Sequence, residues 1–230
     1  MGADASGQYV LHPNDTTPHT PLTDERYAYL RKNYKHHVLK FGYVPDYDQL
    51  QVGDLLLVSS VRPCLVTWAI RRAQEQIPPS ENHHARWQHA AVYVGGGKIC
   101  EATLRGVYPD DIHNKYVGTH LLRFRRGKNV TELQGYKIAI YALLLLRLRY
   151  DWISIARLLF QATFGRDQLR RYPPSLSKRA TICSKLFADA FDGSTSSELR
   201  NDDAKPMTPA ALSADTQYLK DIPVDWKEIR

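Results

Sequence analysis

The stretch 87–103 has the pattern of a β-hairpin that three consecutive glycines close. Trp-Gln-His-Ala-Ala-Val-Tyr-Val precedes Gly95-Gly96-Gly97, and Lys-Ile-Cys-Glu-Ala-Thr follows these glycines. In such a hairpin, facing residues have numbers that sum to roughly 190 to 194. His89 therefore lies opposite Glu101 or within one cross-strand step of it, and strand alternation places both side chains on the same face. The Glu101 carboxylate is thus predicted to orient the His89 imidazole.

Cys183 begins an apolar stretch with helical spacing. The apolar positions that follow it are three and four residues apart: Leu186, Phe187, Ala190 and Phe191. We therefore expect Cys183 in the first turn of a buried helix, where the helix dipole and a neighbouring imidazolium favour the reactive thiolate. The backbone N–H of Cys183 would then point toward a developing oxyanion. Together with His89, the pattern indicates a cysteine nucleophile and its base.

These segments, in this order, resemble the permuted papain-like amidases of the YaeF/YiiX type, a branch of the NlpC-like cysteine hydrolases. The resemblance covers roughly residues 50–222. It rests on Gly53-Asp54-Leu55-Leu56-Leu57, His89 through Val94, Glu101-Ala102 with Gly106-Val107, Tyr150-Asp151, Cys183-Ser184 and Thr208-Pro209-Ala210-Ala211-Leu212-Ser213.

The resemblance implies a circularly permuted papain-like fold, in which the histidine strand precedes the helix of the nucleophile. It also implies the roles of the site residues, with Cys183 as nucleophile, His89 as base and Glu101 as the orienting third residue. One departure is that Thr181-Ile182 precede the cysteine where the family pattern has an aromatic residue. This difference concerns the shape of the pocket and leaves the chemistry unchanged.

The other two cysteines lack such neighbours. Cys64 lies in Pro-Cys-Leu-Val-Thr-Trp-Ala-Ile, for which we predict a core helix, and Cys100 falls on the apolar face of the hairpin. We expect neither a metal nor a cofactor, because the histidines lack a regular ligand spacing with Cys or Asp. The glycines at 95–97 join two strands and therefore do not form a phosphate-binding loop.

Length and composition predict one folded domain. A chain of 230 residues with 43% hydrophobic content can bury one substantial core. We predict a flexible N-terminal segment over 1–24 and a single hydrolase domain over 25–230. The fold class is α+β, with a small antiparallel sheet from about 55 to 124. It packs on helices near 64–76, 131–149, 151–164 and 183–191.

Cysteine usage and the N-terminus bear on the compartment. Three cysteines without paired spacing indicate a chain made in a reducing environment. No basic segment followed by an apolar stretch occurs at the start, so we expect no signal peptide and cytoplasmic synthesis. The apolar run 138–146 falls well short of the ~20 residues that a membrane-spanning helix needs. Any export would use a secretion system that needs no signal peptide.

Charge is concentrated between residues 121 and 180. This region holds 13 Lys and Arg against 3 Asp and Glu, a net charge of +10, while the whole chain carries +7. Such a region can attract an anionic surface, or it can form a solvated helix face. We expect no nucleic acid partner, because the sequence has no zinc spacing, helix-turn-helix or stacking motif.

The resemblance implies hydrolysis of an amide or ester bond. The leading expectation is amide cleavage in bacterial cell-wall peptides, by an antibacterial effector that would have an immunity or inhibitor protein as its partner. The first alternative is a thiol hydrolase or acyltransferase that acts on acyl esters or lipids. An alternative of another class is a catalytically silent module that binds an anionic partner through residues 121–180.

Overall fold

The structure of the protein is a computed structural model. It describes residues 20–21, 35–61, 64–75, 82–103, 105–146, 149–150, 180–181, 183–195, 197, 199 and 207–229. The predicted flexible segment 1–24, apart from Thr20–Pro21, lies outside the described residues. The predicted helix 151–164 and most of the basic region after residue 146 also lie outside them.

The described strands are two to eight residues long. They are β1 (Thr20–Pro21), β2 (Tyr43–Pro45), β3 (Leu55–Ser60), β4 (His89–Gly95), β5 (Lys98–Thr103), β6 (Gly106–Asp111), β7 (His120–Gly127), β8 (Arg149–Tyr150), β9 (Ala180–Thr181), β10 (Leu219–Ile222) and β11 (Trp226–Glu228). Six of them form one antiparallel sheet in the order β10-β7-β3-β4-β5-β6. The others form a three-stranded sheet, β1-β11-β2, and the pair β8-β9.

The described helices cover this sheet and its edges. They are α1 (His36–Phe41), α2 (Leu65–Glu75), α3 (Asn82–Ala85), α4 (Ile112–Lys115), α5 (Glu132–Leu144), α6 (Cys183–Ser194) and α7 (Pro209–Ala214). A mixed fold with one antiparallel sheet and packed helices confirms the predicted α+β class. The helix predicted over 131–149 ends earlier, at Leu144.

The predicted hairpin is formed by β4 and β5. Ala91 pairs with Glu101 and Val92 with Cys100, so the paired numbers sum to 192, within the predicted interval. The three turn glycines all have positive φ angles, 103°, 59° and 75°, a conformation that a side chain would strain. The register shifts between Tyr93 and Gly95, an irregularity that strand alternation does not predict.

Both faces of the main sheet are buried. One face carries Leu55, Leu57, Ala90, Val92, Cys100 and Ala102, and it packs in one core with α5 and α6. The opposite face carries Leu56, Val58, Ala91, Tyr93, Ile99, Leu122 and Phe124, and its core includes α1 and residues of the three-stranded sheet. The strands therefore alternate between two apolar cores, which is why the hairpin shows so few polar residues.

A close backbone contact joins α5 to the turn before β3. A Cβ atom on Gly53, whose φ is +93°, would lie 2.6 Å from the carbonyl oxygen of Gly135. A Cβ atom on Gly135 would lie 2.3 Å from the carbonyl oxygen of Val52. Only glycine permits this approach, which sets α5 against the sheet on the side that α6 also covers.

Three arginines of β7 form ion pairs or hydrogen bonds with other segments of the fold. Arg123 makes two hydrogen bonds to Asp221, of 2.6 and 2.7 Å, and Arg126 pairs with Asp54 at 2.7 Å. Arg125 is 2% exposed and donates to backbone carbonyls of the segment 212–219. These three members of the basic region 121–180 therefore hold the C-terminal segment and the turn before β3.

Cys64 is a correction to the sequence prediction. It was expected in a core helix, but it is exposed and lies just before α2, which begins at Leu65. Leu65 is 83% exposed and Trp68 is 52% exposed, because α2 turns these apolar positions away from the sheet. The helix itself occurs where it was predicted. Within the described part of the chain, no helix combines the length and the apolar character that crossing a membrane requires.

Candidate active site

His89 and Glu101 form a direct contact, as their places in the hairpin predict. His89 is the first residue of β4, and Glu101 lies opposite Ala91, two residues further along that strand. The His89 Nε2 atom lies 2.5 Å from Glu101 Oε2. The Glu101 side chain is fully buried, whereas the His89 side chain is 21% exposed. The carboxylate therefore fixes the ring from the protein side and leaves part of the ring open.

Two further donors hold the Glu101 carboxylate. Tyr116 donates its hydroxyl to Oε2 at 2.5 Å, and the Lys115 ammonium pairs with Oε1. Burial would favour the neutral acid, but the hydrogen bond and charge of His89 and the charge of Lys115 outweigh it. They lower the pKa of Glu101 to about 2. Glu101 is thus ionised at neutral pH.

Cys183 is the first residue of α6, as the apolar spacing predicts. The apolar positions that follow it are all buried: Leu186, Phe187, Ala190 and Phe191. Ser184 is also buried, and its hydroxyl donates to the carbonyl of Met207 at 2.7 Å. The position places the sulfur at the helix N-terminus, where unpaired N–H groups and the helix dipole favour a negative charge.

The thiol of Cys183 contacts the imidazole of His89. The two side chains are hydrogen-bond partners. Because Nε2 is held by Glu101, we assign the bond with the sulfur to Nδ1. The backbone N–H groups of Ala90 and Ser184 also donate to the sulfur. One of these donors comes from the histidine strand and the other from the cysteine helix, so β4 and α6 meet at this atom.

The electrostatics of this pair favour the charged forms of both groups. Burial alone would favour the neutral thiol, but the charge and hydrogen bond of His89 lower the pKa of Cys183. Burial would likewise favour the neutral imidazole, but Cys183 and Glu101 raise the pKa of His89 to about 10. The site can therefore hold a thiolate beside an imidazolium, with Glu101 behind the ring.

A cavity of about 850 Å³ opens beside His89. It is lined by residues of β3, α2 and α4, among them Val58, Ile70 and Lys115. His89, whose side chain is partly exposed, is the member of the candidate triad that lines this cavity, so a molecule bound there would meet the imidazole. Its volume is that of a typical small-molecule site.

The other cysteines differ from Cys183 in environment. Cys100 is fully buried, and burial with the nearby Glu101 charge raises its pKa to about 12. Cys64 is exposed, and hydrogen bonds from the Thr67 backbone N–H and side chain lower its pKa. Among the three thiols, only Cys183 has an imidazole as its hydrogen-bond partner in the described structure.

Lys115 and Tyr116 are site residues that the sequence analysis missed. Both belong to α4 or the residue that ends it, and α4 follows the edge strand β6. No local pattern marks them, because their approach to Glu101 depends on how β6 and α4 fold back over β5. His113 also lies in α4, and His120 begins β7.

Within the described ranges, no group of three or more His, Cys, Asp or Glu side chains has an arrangement that could hold a metal ion. Neither a protein-family model nor a curated protein sequence matches this chain.

Proposed function

We propose that this protein is a cysteine hydrolase, with Cys183 as nucleophile, His89 as general acid and base, and Glu101 as the residue that orients the imidazole. The observation that carries the proposal is the continuous line of contacts from the Cys183 sulfur through the His89 ring to the Glu101 carboxylate. It lies at a helix N-terminus and borders a cavity, which are the conditions that an activated thiol needs.

The proposed reaction begins with attack of the Cys183 thiolate on a carbonyl carbon. The carbonyl oxygen takes up the electron pair and is stabilised by the backbone N–H of Cys183. The imidazolium of His89 then gives its Nδ1 proton to the leaving amine or alcohol, and the C–N or C–O bond breaks. Neutral His89 next takes a proton from water, whose oxygen attacks the thioester, and the acid product leaves with regeneration of the thiolate.

A circularly permuted papain-like fold is part of the proposal. In support of it, the histidine strand β4 precedes the cysteine helix α6 in the chain, and both meet at the sulfur. The antiparallel sheet with α6 packed on the face of Ala90 is the arrangement that the resemblance implies. Chain order and site geometry are thus consistent with the same family.

Amide bonds in bacterial cell-wall peptides are the substrate that we propose first, on the ground of the resemblance. A second candidate is an acyl ester or lipid, and the apolar surface beside the cavity favours it. Val66 and Ile70 of α2 line the cavity, and Leu65 and Trp68 of the same helix are exposed next to them. An acyl chain would cover this surface.

The experiment measures hydrolysis by the purified 230-residue chain, which is given either cell-wall peptides or phospholipid vesicles. Mass spectrometry would detect new amino groups in the first case and free fatty acids in the second. Cys183→Ala is the inactive control, and Cys64→Ser is the matched thiol variant that should retain the wild-type rate. Product formation that is equal in Cys183→Ala and the wild type for both substrates would contradict the proposal.

A further inference from the structure

The cavity beside His89 has a basic lining. The side chains with basic groups along it are Lys35, His89, Arg105, Lys115 and His120. The acidic residue among the lining residues is Asp110, and Lys115 binds it at 2.9 Å. Positive groups therefore outnumber negative ones on the surface that a bound molecule would touch.

Most of the basic groups are already engaged. Lys115 is held between Glu101 and Asp110, and His89 is held by Glu101 and Cys183. Burial and the charge of His89 lower the pKa of His120, which keeps it neutral at pH 7. None of these groups offers a free positive charge to a ligand.

Lys35 and Arg105 differ from the others because no described carboxylate forms an ion pair with them. Both residues are exposed, and the backbone N–H of each donates a hydrogen bond to a side chain. Asn114 of α4 accepts from the Lys35 N–H at 2.9 Å, and Thr103 accepts from the Arg105 N–H at 3.3 Å. Their backbones are thus anchored to the walls of the cavity while their charges remain available.

Resting on the function proposed above, we infer that the cavity selects substrates that carry an anionic group, a carboxylate or a phosphate, which Lys35 and Arg105 bind. A bidentate guanidinium and an ammonium are the usual partners of these two anions. Binding the anion at the cavity wall would hold the neighbouring carbonyl beside His89, the hydrogen-bond partner of Cys183. Lys35 and Arg105 are therefore specificity residues, and they take no part in the bond-breaking steps.

The test compares two alkylating reagents of similar size, iodoacetate with a carboxylate and iodoacetamide without one. In each, the thiolate sulfur displaces iodide and forms a C–S bond, so the chemistry is the same. The ratio of the two rate constants at Cys183 is measured by mass spectrometry at pH 6 in a Cys64→Ser background. Lys35→Ala/Arg105→Ala is compared with Lys40→Ala/Lys137→Ala, which removes two exposed cations that do not line the cavity.

We expect the iodoacetate-to-iodoacetamide ratio to fall about three- to tenfold in Lys35→Ala/Arg105→Ala and to stay unchanged in the control, since each exposed ion pair contributes modestly. Protection of Cys183 by acetate or by inorganic phosphate, against chloride at equal ionic strength, identifies the preferred anion. An unchanged ratio with fast iodoacetamide labelling overturns the inference alone. Iodoacetamide labelling of the wild type as slow as that of an ordinary thiol overturns the proposed function itself.

Discussion

Replacing His89 by alanine should remove most of the reactivity of Cys183 at low pH. In the wild type, the thiolate is stabilised by the imidazolium and by the N–H groups of Ala90 and Ser184. His89→Ala keeps the two N–H donors and removes the charge. The buried sulfur then loses the partner that offsets its burial, and its pKa should rise.

The size of the effect follows from the ionised fraction. An unperturbed thiol titrates near ~8.5, so roughly 0.3% of it is thiolate at pH 6. A fully ionised Cys183 would thus carry about 300 times more thiolate at that pH. The intrinsic nucleophilicity of a thiolate decreases as its pKa falls, and this decrease offsets part of the gain in thiolate fraction. We therefore expect His89→Ala to slow alkylation at pH 6 by at least about tenfold.

The assay is iodoacetamide labelling followed by mass spectrometry between about pH 5 and 9. It needs a Cys64→Ser background, because Cys64 is exposed and its pKa is lowered by Thr67. Cys100 serves as an internal reference, since its buried thiol has a pKa of about 12 and should stay unlabelled. Wild-type labelling should level off at low pH, whereas labelling of His89→Ala should keep rising toward pH 9.

Two results would refute this reasoning. One is equal labelling of Cys183 in the wild type and in His89→Ala at pH 6. The other is a labelling rate of Cys183 in the wild type that follows an ordinary thiol titration. Either result would show that His89 does not activate Cys183, and would favour the alternative of a catalytically silent module that binds an anionic partner.

Three further predictions concern the groups that hold the site and the C-terminal segment. The pKa of Glu101 is lowered from 4.5 to about 2, so its ionisation contributes about 3 kcal/mol of stability above pH 4.5, and this contribution is lost as the pH falls toward 2. In acid unfolding followed by circular dichroism, Glu101→Gln should lack this dependence of stability on pH. An unchanged pH dependence would contradict the assignment. Tyr116→Phe removes one donor to that carboxylate and should lower the free energy of unfolding in urea by about 1.5–3 kcal/mol. An unchanged midpoint of the urea unfolding curve would argue against this hydrogen bond. Asp221→Ala removes the carboxylate that pairs with the buried guanidinium of Arg123 and should cost about 3–5 kcal/mol. Asp189→Ala breaks a partly exposed i,i+4 pair and should cost less than about 1 kcal/mol. Equal losses in urea unfolding would refute the role of burial.

The hairpin and the cysteine helix could be predicted because their signals are local. Glycines with positive φ determine the turn, and strand alternation then determines which residues share a face. That reasoning was enough to bring His89 to Glu101. The helix that begins at Cys183 follows equally from the spacing of the apolar residues after it.

The remaining parts depend on contacts between distant segments. Strand β10 pairs with β7 across about a hundred residues, and the buried pair of Arg123 and Asp221 accompanies that pairing. Sequence analysis assigned the charge of Arg123 to a basic surface region, because composition cannot distinguish a buried cation from an exposed one. Cys64 was misplaced for a related reason: an apolar stretch at helical spacing predicts a helix, but the fold decides how far it is covered.

The contacts of Glu101 decide what kind of triad this site can form. Its pKa of about 2 lies far below that of His89, about 10, so a proton on the imidazole has no tendency to move to the carboxylate. Lys115 donates to Oε1 of Glu101 and Tyr116 donates to Oε2, and these two donors help to keep the buried carboxylate ionised. In the proposed reaction, Glu101 would therefore act by holding the ring and stabilising its charged form, and the proton would travel between His89, Cys183 and the substrate.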